Sequence, residues 1–226
     1  MRNADISHAR PLIAAQDVPA ALGLLTRLPV RIDTDRTMAR GAAAAWAFPL
    51  AGVVVAGITA LIGAFALWVG MPVMIVAGLI LAAQIVVTGA MHEDGLADSA
   101  DGLWGGWDIA RRLEIMKDSA IGTYGVLALG LSLLLRWGAL VAILSAGYLW
   151  APLIVVATVS RAPMVAVAVV LLPWSTLALL LVVGLAGIAC AVIAMAKIKG
   201  QTGDILGATQ QICEIAALAV LAAHLG

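Results

Sequence analysis

Apolar residues run in long blocks along this chain, divided by short polar interruptions. Residues 42–69, 73–90, 174–196 and 205–225 are each almost continuously apolar, over a length that crosses a bilayer as a helix. A further block, 121–173, stays apolar for 53 residues, and its only charges are Arg136 and Arg161. At about 20 residues per span it makes two comfortable helices or three short ones. Gly70-Met71-Pro72 reads as a tight turn between the first two spans. The opening 40 residues are polar, with Arg2, Arg10, Arg27, Arg31, Arg36 and Arg40. Within them Leu22, Leu24, Leu25 and Leu28 give 18–28 the pattern of a short amphipathic helix at the membrane surface, ended by Pro29. A second charged, amphipathic helix is expected over 104–119.

The pattern predicts an all-α polytopic membrane helix bundle, with seven or six transmembrane helices plus the N-terminal interfacial helix. It forms one integral-membrane domain, 1–226. A cytoplasmic segment, 1–41, precedes a transmembrane bundle, 42–226, which carries an acidic motif at 92–102 and a cytoplasmic loop at 103–120. Basic residues decide the count. They gather before the first span, between 102 and 119, and at Lys197 and Lys199. All three groups share one side only if 121–173 crosses three times, and the positive-inside rule therefore favours seven spans.

Composition agrees. The chain is 63% hydrophobic and 12% charged, with a mean hydropathy of +1.08, which excludes a soluble domain. Its basic residues are too few and scattered for a nucleic-acid partner. The polar N-terminus gives no sign of a cleavable signal peptide. Cys190 and Cys213 lie in apolar surroundings and read as small hydrophobes. Seven tryptophans, mostly near span ends, fit an interfacial belt.

Against this background one stretch stands apart. Met91-His92-Glu93-Asp94-Gly95-Leu96-Ala97-Asp98-Ser99-Ala100-Asp101-Gly102 holds four of the thirteen acidic residues within nine positions, directly after an apolar span. Asp94, Asp98 and Asp101 are spaced i, i+4 and i+7, one face of a helix. No basic residue follows until Arg111. Three like charges on one face call for a cation, and hard carboxylate oxygens favour Mg2+ or Mn2+. Gly95 and Gly102 allow a ligand or backbone to come close. His92 is a metal-ligand or phosphate-donor candidate, or simply an interfacial histidine; Glu93 points off the face of Asp94 and Asp98.

Asp204 opens the last span. It is either an N-cap or a functional acid, and with Gln211 and Glu214 it forms a single polar stripe of the kind that faces a cavity or partner inside a bilayer. Arg161 could pair with an acid or bind phosphate, Arg136 marks a membrane boundary by snorkelling, and Arg111-Arg112 is a positive-inside signal or a nucleotide-phosphate site.

The acidic motif resembles that of the cobalamin synthases, the adenosylcobinamide-GDP ribazoletransferases. The resemblance extends in order to Leu25-Thr26-Arg27-Leu28-Pro29-Val30, Phe48-Pro49-Leu50-Ala51-Gly52, Arg112-Leu113-Glu114-Ile115-Met116-Lys117-Asp118-Ser119, Ser160-Arg161 and Thr202-Gly203-Asp204-Ile205-Leu206-Gly207-Ala208. One departure is that Pro173 joins Trp174 directly, where relatives usually carry a polar, glycine-containing loop.

The resemblance implies the last step of the nucleotide-loop pathway. A ribose hydroxyl of α-ribazole, or of its 5'-phosphate, attacks the cobinamide-linked phosphate of adenosylcobinamide-GDP, and GMP leaves. It implies Mg2+ held by Asp94, Asp98 and Asp101, with Asp101, Asp204 and His92 as catalytic candidates. Arg111, Arg112, Lys117 and Arg161 become the substrate-phosphate candidates. It also implies the bacterial inner membrane with the site facing the cytoplasm, contact with lipid, and a homo-oligomer or association with other late cobalamin-pathway enzymes.

Two other readings compete. CDP-alcohol phosphotransferases use glycine-flanked aspartates for a similar displacement, but their Ala-Arg step after the first Asp-Gly is absent, since Gly95 precedes Leu96-Ala97-Asp98. A cation-coupled transporter would carry acids near mid-bilayer and an inverted repeat, whereas these acids sit at a span end.

Overall fold

The computed structural model describes residues 13–161 and 176–225. The junction of Pro173 with Trp174 lies outside them. Among the described residues all regular structure is helical: α1 (Asp17–Leu25), α2 (Thr34–Arg40), a 3-10 helix (Gly41–Ala47), α3 (Phe48–Trp68), α4 (Val73–Thr88), α5 (Met91–Gly105), α6 (Ile109–Ile115), α7 (Thr123–Ser145), α8 (Trp150–Val159), α9 (Thr176–Ile198) and α10 (Gly203–Leu225). Among the described residues four helices are long and apolar enough to cross a membrane, or up to five spans if α4 and α5, bent by 87° at their junction, count as one.

The main core lies between α3, α4, α7, α8, α9 and α10, where Ile80, Leu140, Ile143, Val155, Leu179 and Leu221 are fully enclosed. Large apolar side chains such as Phe65, Trp68, Leu131, Leu134, Leu185 and Ile188 point outward. That inverts the usual soluble pattern and suits a lipid-facing surface.

The first helix is shorter than the pattern suggests. It ends at Leu25, before Pro29 is reached, because Thr26 turns extended and its hydroxyl donates to the Leu22 carbonyl at 2.6 Å. Ala21 and Leu25 pack on Ala47 and Ala51, so much of its apolar side meets protein. The single helix expected over 104–119 is also two pieces. Gly106 is extended, and Asp108 starts α6 by accepting the Arg111 amide at 2.9 Å.

A buried clamp ties the N-terminal segment together. Asp17 accepts from Arg40 Nε at 2.8 Å and from the Trp46 indole at 2.8 Å, across α1, α2 and the 3-10 helix. The Arg40 guanidinium, aided by Trp46, holds the Asp17 carboxyl down at about 2. An unfolded aspartate titrates near 3.9, so the clamp contributes fully above about pH 4 and is lost as pH falls toward 2. Thermal unfolding in detergent at pH 5 and pH 3 is expected to show a smaller acid-induced loss for Asp17→Asn than for the parent. Equal losses would count against the clamp.

Candidate active site

The acidic motif is a helix, as its spacing predicts. It begins at a sharp corner: Gly89 (φ 65) and Ala90 (φ 59) are both left-handed, and their amides close the end of α4 on the Val86 and Ile85 carbonyls. Glycine takes this conformation freely, but Ala90 costs about 1–2 kcal/mol there. Arg27 straps the corner. Its amide donates to the Val87 carbonyl at 2.8 Å, and its side chain fills the space where a Cβ on Gly89 would lie.

From this corner α5 lies along α10. Gly95 and Gly207 face each other so closely that a Cβ on Gly95 would come 2.9 Å from the Asp204 carbonyl and 3.2 Å from Gly207 Cα. The small-residue contact brings Asp204 to the acidic motif, and Asp94, Asp204 and Asp101 all bear electrostatically on half-buried Asp98. Ion pairs engage Asp17, Glu93, Glu114 and Glu214, whereas Asp94, Asp98 and Asp204 have none among the described residues. Asp204 is not the cap of its helix: Thr202 is, accepting the Ile205 amide through its hydroxyl at 3.3 Å.

Asp101 is anchored to the backbone at the start of α7. One oxygen accepts the Gly122 amide at 2.7 Å and the other the Gly125 amide at 2.9 Å. Gly122 begins α7 without a side chain to cap it, and Asp101 does so from α5. Each oxygen accepts one amide and keeps a second lone pair, so the two bonds fix the orientation of the carboxylate without exhausting it. These bonds give Asp101 a structural place at the start of α7.

Beneath the acids lies a buried polar cluster. His92 is 5% exposed, and neither ring nitrogen has a hydrogen-bond partner among the described residues. Arg161 donates to the Ala157 carbonyl at 3.1 Å, while its buried Nε has no partner there. Both keep polar capacity for a ligand. Arg136 overturns the boundary reading: it is 1% exposed and pairs with Glu93 and Glu214 at 2.9 Å each. Glu93, set aside as off-face, faces this cluster.

The basic candidates separate. Arg112 is consumed by structure, donating to the carbonyls of Gly106 (3.0 Å) and Lys197 (2.7 Å). Arg111 is exposed and paired with Glu114. With Lys117 it lines an open depression of about 310 Å³, beside Asp118. Lys197 donates to the Leu103 carbonyl at 2.8 Å and sits over the Trp104 ring. The end of α9 therefore shares one end of the molecule with α5 and α6.

Among the described residues no three His, Cys, Asp or Glu side chains are grouped to hold a metal ion unaided. Mg2+ seldom needs such a cage; one or two carboxylates plus substrate phosphates suffice. The unpaired oxygens of Asp94, Asp98 and Asp204 fit that requirement.

No solved structure matches the chain. Its sequence does have relatives. The adenosylcobinamide-GDP ribazoletransferase of Bradyrhizobium diazoefficiens is 40% identical over 242 aligned positions, covering 92% of this chain and 93% of the relative. That of Mesorhizobium japonicum is 36% identical, covering 90% and 92%, and that of Xanthobacter autotrophicus 48% identical over 58% and 51%. The 242 positions exceed the 226 residues present, so the Bradyrhizobium protein carries residues that this chain lacks. A family sequence model matches residues 17–175 and 163–222, two stretches that overlap across the Pro173 junction. With both matches together running from the first helix almost to the end of the last, the chain belongs to the cobalamin-5-phosphate synthase family.

Proposed function

We propose that this chain transfers the adenosylcobinamide phosphate of adenosylcobinamide-GDP to α-ribazole or α-ribazole 5'-phosphate. The products are GMP and adenosylcobalamin or its 5'-phosphate. The observation that carries the reading is the meeting of Asp94 and Asp98 from α5 with Asp204 from α10, all uncompensated, in a chain of this family.

Asp94 and Asp98 are the residues that would hold Mg2+, with Mn2+ as a substitute; the ion would neutralise pyrophosphate charge and stabilise departing GMP. Asp204 takes the proton of the attacking ribose hydroxyl. That oxygen bonds to the cobinamide-linked phosphorus, and the P–O bond to GMP breaks. Arg111 and Lys117, at the open depression, suit an incoming phosphate. Buried His92 and Arg161 donate to phosphoryl oxygens through nitrogens that no described residue occupies.

The reaction faces the cytoplasm from the bacterial inner membrane, with lipid around the outward apolar side chains. Arg111, Arg112, Lys117 and Lys197 cluster at the acid-bearing end, as the positive-inside rule requires of a cytoplasmic end. Seven crossings allow this shared end, and six do not.

Purified protein is expected to release GMP from adenosylcobinamide-GDP plus α-ribazole in Mg2+, to stop in EDTA, and to form nothing from CDP-diacylglycerol plus an alcohol. Turnover of the CDP-lipid with none of the cobinamide substrate would replace the reading.

A further inference from the structure

We propose that Arg136 is a positioning residue: by bridging Glu93 on α5 and Glu214 on α10 it sets the register of the two helices that carry the catalytic acids. The inference rests on the active-site reading above only for its effect on turnover.

Arg136 projects from α7 into the middle of the bundle. Its Nη1 donates to Glu93 Oε1 at 2.9 Å and to Gln211 Oε1 at 3.0 Å, its Nε to Glu214 Oε1 at 3.1 Å, and its Nη2 to Gln84 Oε1 at 3.1 Å. One planar fork thus engages α4, α5 and α10 together, a task for which lysine lacks the geometry. The acceptors are themselves braced. Gln211 donates to Glu93 Oε1 at 2.9 Å and accepts from Ser132 at 3.0 Å. Gln210 donates to Glu214 Oε2 at 2.7 Å and to Ser160 at 3.1 Å.

Glu93 directly precedes Asp94, and Glu214 lies on the helix that carries Asp204 in its first turn. The acids above repel one another across the α5–α10 contact. The contact at that level rests on Gly95 and Gly207, which permit close approach but offer no interlocking side chains to fix a register. Apolar packing alone could hold such helices together, since buried ion pairs are often replaceable without loss of stability. What the fork adds is direction: its donors reach fixed acceptors on three helices, and sliding α5 along α10 breaks several bonds at once.

The test uses nitroxide labels on Met91→Cys and Leu206→Cys, at exposed positions beginning α5 and α10, with Cys190→Ala and Cys213→Ala. Dipolar broadening is recorded without metal or substrate. Two backgrounds are compared with the parent: Arg136→Lys, which keeps the charge, and the triple Glu93→Gln, Arg136→Met, Glu214→Gln. The triple removes all three charges together and so avoids stranding one. Each is expected to give a wider spread of distances at unchanged helix content. Turnover is expected to fall about 10²-fold in the triple, the usual cost of a 1 Å misplacement, and less in Arg136→Lys, with KM nearly constant. Parent-like spectra in both backgrounds overturn the proposal, and so do broadened spectra with parent kcat. If the parent itself makes no GMP from adenosylcobinamide-GDP, the substrate reading falls, and the spectra still decide the role of Arg136.

Discussion

Asp94→Asn and Asp98→Asn are each expected to lower turnover by about 10²–10⁴-fold, the range seen when a charged group acting on the reacting atoms is lost. Asparagine keeps the shape of aspartate and a carbonyl oxygen but removes the charge that a divalent cation requires. Stability should move the other way. Both carboxylates lie among like charges with no ion pair to offset them, so neutralising either relieves repulsion. Asp94 is exposed and Asp98 half-buried, and the gain is therefore limited to about 1 kcal/mol or less. Melting in detergent with EDTA measures it. Loss of turnover together with equal or higher thermal stability is the signature of a site that trades stability for function. A structural role predicts the reverse, falling stability with turnover retained. Full activity in EDTA, or parent turnover in both variants, sinks the metal reading.

Local features of this site were legible in the sequence. Spacing at i and i+4 places Asp94 and Asp98 on one helix, and the stripe Asp204, Gln211, Glu214 marks the polar face of α10 because helical period is a local property. The features that needed distant partners were not. Asp101 continues the acidic face at i+7, but its partners are the amides of Gly122 and Gly125, at the start of a helix 21 and 24 residues on. Arg136 looks like a boundary residue because its partners, Glu93 and Glu214, are 43 and 78 residues away. The corner before α5 was hidden for another reason. Gly89 hints at a stop, but Ala90 adopts a left-handed conformation that its type disfavours, held by its amide on the Ile85 carbonyl and by Arg27 packed over Gly89. The break at Gly105-Gly106 was present in the sequence as a glycine pair, and amphipathic spacing on either side masked it.

Asp204→Ala and Thr202→Ala form a crossed pair that decides what the start of α10 does. Sequence alone leaves Asp204 as a cap or a catalytic acid. The structure gives the cap to Thr202, whose hydroxyl accepts the Ile205 amide, and leaves Asp204 half-buried over Gly95 with its charge felt at Asp98. Removing Thr202 should therefore cost about 1 kcal/mol of stability while changing turnover little. Removing Asp204 should do the opposite. An acid in the first turn gains about 0.3–1 kcal/mol from the helix dipole. Repulsion from Asp98 offsets that gain, so stability is nearly unchanged. Turnover is expected to fall about 10²-fold or more, because the attacking ribose hydroxyl loses the group that takes its proton. The residual rate should then climb with pH more steeply than in the parent, since solvent hydroxide must replace the missing base. Steady-state rates from pH 6 to pH 9, with a thermal melt on each variant, complete the comparison. A destabilised Asp204→Ala with parent turnover would return this residue to the capping role and leave the reaction without its base.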